Sequence, residues 1–204
     1  MAFQSQPAHD DFLARLGAGD EDAFLALYRF HQGPIFRFAL HVTGSATMAE
    51  DIVQEVFLAL IRGDLGYRPE RGSLGCYLLG VTRKLALRHL DGNRRNVALD
   101  GDLEEVLQPD GAADRDPLTD LTRREGLEAL RRSVAALPRR YREVVVLCDL
   151  EELDYAEVAI VLGCPIGTVR SRLHRARALL HEKLSLERNP RPAVGALKPV
   201  RNLT

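Results

Sequence analysis

Tryptophan is absent from this 204-residue chain, methionine occurs twice and cysteine three times. Cys76, Cys148 and Cys164 are widely spaced and odd in number, which is neither a disulfide framework nor a zinc-ligand spacing and suits a reducing cytoplasm. No apolar run approaches the roughly 18 to 20 residues of a membrane span, so no membrane insertion is expected. Residues 1–10 lack the basic-then-apolar pattern of a secretory signal. The six histidines (His9, His31, His41, His89, His174 and His181) have no metal-ligand spacing, and no glycine-rich phosphate loop precedes a helix. No catalytic constellation, metal or cofactor is expected, and the chain is not expected to be an enzyme. Strand-type alternation and internal repeats are also missing.

What is present is an ordinary apolar share of 46% and a charged share of 28%, enough for one or two small cores and too ordered in composition for wholesale disorder. The net charge of −1 conceals segregation. Residues 1–61 carry 8 acids and 3 bases, whereas residues 62–95 carry 8 bases and 3 acids. Residues 96–120 return to 8 acids against 1 base, and residues 165–188 hold 6 bases and 2 acids. Two basic islands therefore flank an acidic stretch, the pattern of a bipartite contact with nucleic acid.

The periodicity predicts an all-α chain of two small helical domains joined by a flexible acidic linker. Domain boundaries are expected at 10–95, 96–119 for the linker, 120–186, and a disordered tail at 187–204. Asp20 is placed to cap a first helix, with Glu21 and Asp22 near its positive end. Gly33-Pro34 is expected to interrupt or kink the chain, and Thr43-Gly44-Ser45 to turn it. A helix over Met48–Ile61 follows, then a loop from Gly63 to Gly72. Ser73 opens a further helix that Asp91-Gly92 should end after Leu90. In the second domain, helices are expected over Leu121–Ala136 and from Pro138 onward.

The last two helices carry the clearest function. Tyr155 to Leu162 is short, amphipathic and followed by Gly163, and a second helix begins near Pro165. At 100° per residue its Val169, Leu173, Ala176 and Leu180 share a narrow arc, with Arg170, Ser171, His174 and Arg175 spread over the other side. Helix, glycine turn and basic helix form a helix-turn-helix, whose second helix enters the DNA major groove. Arg170 and Arg175 suit bidentate contact with guanine, and Ser171 and His174 suit base edges or phosphate. Thr168 stands at the helix start, where backbone N–H groups favour anions, while Arg172 and Arg177 lie at the flanks and suit phosphates.

Three runs make the chain resemble a known family. They are Ala136-Leu137-Pro138-Arg139-Arg140-Tyr141-Arg142-Glu143-Val144-Val145-Val146-Leu147, Leu153-Asp154-Tyr155-Ala156-Glu157-Val158-Ala159, and Gly167-Thr168-Val169-Arg170-Ser171-Arg172-Leu173-His174-Arg175-Ala176-Arg177. Together they resemble the C-terminal domain of bacterial sigma factors of the extracytoplasmic-function (ECF) subfamily of the sigma-70 family. Ala49-Glu50-Asp51-Ile52-Val53-Gln54-Glu55-Val56-Phe57 resembles that family's polymerase-docking helix, and Arg71 to Lys84 its promoter-melting segment.

The resemblance implies a sigma factor that directs RNA polymerase core, through its β′ and β subunits, to promoter DNA. The helix-turn-helix would read the −35 element. Arg71, Tyr77, Arg83, Lys84, Arg88, Arg94 and Arg95 would contact the −10 element, and Asp51, Gln54, Glu55 and Phe57 would bind polymerase. An anti-sigma factor is an expected partner, and the linker would occupy the polymerase's RNA exit path. The chain departs from the family where Leu74 and Tyr77 replace the usual Phe and Trp, and where Lys84 and Arg88 replace Asn and Asp. The alternative is a stand-alone helix-turn-helix regulator that needs no polymerase core.

Overall fold

The structure, a computed structural model, describes residues 15, 19–63, 66–96 and 117–188; for 93–96, 117–125 and 186–188 it describes the backbone alone. The linker residues 97–116 and the tail from 189, with the expectations made for them, lie outside the described residues.

Helix α1 spans Glu21–Thr43. Asp20 starts it as expected, its carboxylate accepting from the Ala23 N–H at 3.1 Å. That hydrogen bond, helped by Arg15, holds the Asp20 carboxyl below the usual aspartate range. Contrary to expectation, Pro34 lies inside one unbroken helix. A proline there forfeits a backbone bond and costs about 3 kcal/mol. His31, Ile35, Phe38 and Ala39 on either side are almost fully buried, and burial of one large apolar side chain contributes roughly 1.5–3 kcal/mol. Tertiary packing thus outweighs the breaker.

Gly44 closes α1 in the left-handed region (φ 75°), and Ser45 caps α2 (Ala46–Ile61) by accepting from the Met48 N–H. After a 3-10 turn at Pro69–Arg71, α3 runs over Leu74–Asn96, with Ser73 accepting from the Cys76 N–H. It does not stop at Asp91-Gly92, because Gly92 keeps a negative φ and ends nothing. Helices α1, α2 and α3 pack on one another as a three-helix unit.

The second unit begins at α4 (Pro117–Ala135), four residues earlier than the periodicity indicated, with Pro117 in the first turn, where a missing N–H costs nothing. Pro138 stands just before α5 (Arg139–Val145) rather than within it. The chain then widens into a π turn, Val146–Leu150, which the sequence did not announce. Helices α6 (Tyr155–Leu162) and α7 (Ile166–Arg188) complete seven helices among the described residues. None is long and apolar enough to cross a membrane.

The two units are not held apart. Helix α3 packs on α6, and α1 packs on α5 and the π turn, so buried side chains from both form one continuous apolar cluster.

Candidate nucleic-acid interface

The helix-turn-helix is built as its spacing indicated. Asp154 accepts from the Glu157 N–H at 2.8 Å while Glu157 accepts from the Asp154 N–H at 3.1 Å, a reciprocal box that starts α6. Gly163 (φ 62°) ends α6, in a conformation that costs other residues about 1 kcal/mol or more. The Pro165 carbonyl then accepts from the Thr168 and Val169 N–H groups and opens α7. Val169, Leu173, Ala176 and Leu180 are buried against α5 and α6, so the opposite side of α7 faces solvent. Arg170, Ser171, His174, Arg175 and Arg177 are exposed, and Thr168 and Arg172 are half-exposed.

Two of these arginines are steered from outside α7. The Arg170 guanidinium lies 5.9 Å from the centre of the Tyr155 ring, within cation–π range. Arg177 grips Asp149 of the π turn with both Nε and Nη2. Arg177 is therefore a strut between the π turn and α7. The Ser171 hydroxyl donates back to the Thr168 carbonyl at 3.1 Å.

The second basic island is more divided than its sequence. Arg71 and Lys84 are exposed. Arg83 is turned into the junction of the two units, where its Nη2 donates to Glu143 at 3.3 Å. Arg88 donates to Glu55, which also faces His89 Nε2 at 2.7 Å. Tyr77 is half-buried with its ring 5.4 Å from that of Tyr67, so it serves packing as well as surface. Leu74 is in the core. Arg94 and Arg95 lie on the last turn of α3, their side chains outside the described residues.

On α2, Asp51 and Gln54 are exposed, whereas Glu55 is committed to α3. Phe57 does not fit the surface role assigned to it: it is 3% exposed, with its ring 4.7 Å from Tyr28 and edge-on to Phe24. An i, i+4 partner of Val53 belongs to the core side of an amphipathic helix. Asp51, Glu55, Arg88 and His89 border a cleft of about 500 Å³ between the start of α2 and the end of α3.

The junction residues are those that spacing could not reveal. Arg37 donates from Nε and Nη2 to the two oxygens of Glu151 at 2.8 and 2.7 Å. That hydrogen bonding raises the Arg37 pKa, and the Glu151 side chain is 2% exposed. Arg142 donates to the His41 carbonyl at 2.9 Å. Burial, with the charges of Arg142, Arg37 and Arg131, lowers the His41 pKa to about 4. Glu143, also 2% exposed, is met by Arg83 and more distantly by Arg139. Arg83 Nε and Glu143 Oε1 are 3.3 Å apart without the alignment of a hydrogen bond, so this pair is looser than Arg37–Glu151.

Comparison with known proteins follows the two units. The family pattern described as Sigma-70 region 2 matches residues 27–96, and that described as Sigma-70, region 4 matches residues 127–180. The ECF RNA polymerase sigma factor SigE of Mycolicibacterium smegmatis is 35% identical over 162 residues, which cover 78% of this chain and 60% of that protein. The ECF RNA polymerase sigma factor SigW of Bacillus subtilis is 26% identical over 174 residues, covering 81% and 91%. In fold, the chain is similar to the sigma factor RpoE of Bartonella quintana, solved in complex with the anti-sigma factor NepR. The TM-score is 0.62 at 22% identity, over 80% of this chain and 98% of that one. With both patterns in order on one chain, each on its own helical unit, the protein belongs to the sigma-70 family in its ECF subfamily, and is a sigma factor that directs RNA polymerase to promoters.

Proposed function

We propose that residues 10–95 dock on polymerase core and engage the −10 element, that residues 120–186 read the −35 element, and that residues 96–119 tether the two. Arg170, Ser171, His174 and Arg175 would meet base edges from the solvent side of α7, with Thr168, Arg172 and Arg177 on phosphates. Arg71, Arg83 and Lys84 would follow the DNA backbone near −10, with the Tyr77 ring beside unstacked bases and Arg88, Arg94 and Arg95 extending the basic track. Asp51 and Gln54 would face the basic docking surface of the β′ coiled coil, with Glu55 as support from below. The protein itself performs no chemistry and acts in the cytoplasm, and an anti-sigma factor holds it in check.

The observation that carries this proposal is the coexistence of two opposed surfaces on one chain. The exposed side of α7 bears arginines, and the exposed side of α2 bears Asp51 and Gln54. A stand-alone regulator needs the first and has no use for the second. Run-off transcription with purified core polymerase on promoter fragments enriched from genomic DNA tests it. The expected result is a defined product that disappears with Asp51→Ala plus Gln54→Ala while the far-ultraviolet circular dichroism stays unchanged. Tight, palindrome-dependent DNA binding by the protein alone would favour the stand-alone regulator instead.

A further inference from the structure

Tyr155, the first residue of α6, has no part in the contacts proposed above, yet it stands beside two arginines of α7. Its ring lies 5.9 Å from the Arg170 guanidinium. Asp149 raises the Arg177 pKa, and Tyr155 adds a smaller contribution in the same direction, which places the phenol near that arginine too. Arg170 and Arg177 are seven residues apart, two turns along one face of the helix. The ring sits on a firm support. The reciprocal box of Asp154 and Glu157 pins the start of α6 without using the Tyr155 side chain. Helix α6 packs on α7 with Val158, Val161 and Leu162 buried. Tyr155 itself is 38% exposed, so core packing does not account for an aromatic at this place.

The two arginines are held in different ways. Arg177 spends Nε and Nη2 on Asp149. Arg170 is met at the face of its guanidinium. The N–H donors lie in the plane of that group, so a face contact consumes none of them. Bidentate reading of guanine O6 and N7 needs two such donors side by side. A long side chain that is already restrained also has less freedom to lose on binding.

We propose that Tyr155 is a positioning residue for −35 recognition: without touching a base, its ring aims the Arg170 fork into the major groove and so sets the guanine preference at one position of the element. This role rests on the −35 contact proposed for Arg170 above and gives that contact a support outside α7. A hydrogen bond from the phenol to a DNA phosphate is the competing use of the same residue, and the ring and the hydroxyl can be tested apart.

Holoenzyme, formed from core polymerase and the full-length protein, is titrated onto a promoter fragment from the run-off assay and onto fragments carrying each single-base change in its −35 element. Tyr155→Leu keeps an apolar side chain but no π face, and should weaken binding to the parent fragment about two- to fivefold, the worth of an exposed cation–π contact. The lost discrimination should fall at one base position, the same one that Arg170→Ala flattens. Tyr155→Phe keeps the ring and should keep every wild-type preference. Tyr155→Leu added to Arg170→Ala should cost nothing further, because the two side chains act as a unit. In the free protein, nuclear magnetic resonance should show the Arg170 Hδ protons shifted upfield by the ring. Tyr155→Phe should retain that shift and Tyr155→Leu abolish it. Equal weakening on all fragments by Tyr155→Phe and Tyr155→Leu alike would make Tyr155 a phosphate contact and overturn the positioning role. Additive losses in the double variant, or no upfield shift in the wild type, would overturn it as well. Should Arg170→Ala leave every base preference intact, the −35 contact of Arg170 itself falls, whereas the upfield shift would still report the ring beneath it.

Discussion

Both oxygens of Glu55 are taken, one by Arg88 and one by His89. Of the residues proposed for docking on α2, this leaves Asp51 and Gln54 exposed to meet a partner. Glu55→Gln should therefore alter core affinity only about threefold or less, far below the loss from the Asp51 and Gln54 pair, in a competition assay with labelled protein. Arg177 makes the same point on α7. Since Asp149 holds it, Arg177→Ala should weaken promoter binding by a similar factor for every −35 sequence and cost at most about 1 kcal/mol in a thermal melt. Loss of discrimination at one base position would instead make Arg177 a base reader. Cys76 and Cys148 have thiol pKa values pushed up by burial, to about 12 and about 11. Iodoacetamide should therefore label them slowly in the folded protein and quickly in denaturant, as mass spectrometry would record.

At the scale of the helices, caps and buried ends decide stability. Asp154→Ala removes one half of the box that starts α6 and should cost about 1 kcal/mol, read from a denaturant midpoint at constant slope. His41, on the last turn of α1, sets an acid limit. Its folded pKa near 4 lies below the ordinary 6.5, so the unfolded chain takes up the proton first as the pH falls. Stability is full above about pH 6.5 and declines toward pH 4, by up to roughly 3 kcal/mol from this group. Urea melts across that range should show the slope, and His41→Gln should flatten it. The helix starts at Asp20 and Ser73, the buried stripe of α7 and the glycine turn were legible because each depends on residues within four positions of one another. Pro34 stays helical because the buried side chains around it outweigh its local propensity. Gly92, by contrast, is exposed and free to continue the helix. Phe57 lies on the core side that its spacing from Val53 already marks. The π turn carries no local mark at all. Arg37–Glu151 spans 114 positions and Arg142–His41 spans 101, and no periodicity encodes such a pairing.

As a whole molecule, the chain keeps its two halves in one apolar cluster, so it should unfold as a single transition despite its two-part organisation. The absence of tryptophan makes this easy to check. Tyr77→Trp in the first unit and Tyr141→Trp in the second each supply one local fluorophore, and the two denaturation curves should coincide. Adding Arg37→Glu should split them. The paired acids also bear on how the protein spends its time in a cell. A genome offers on the order of a million or more sites to any exposed basic groove, at weak but cumulative affinity. With Arg83 neutralised by Glu143 and Arg37 by Glu151, the free chain presents fewer cations to that background, so less of it idles on anonymous DNA. The inward-facing acids thus act on supply: they keep sigma in circulation, where the next vacant polymerase can find it.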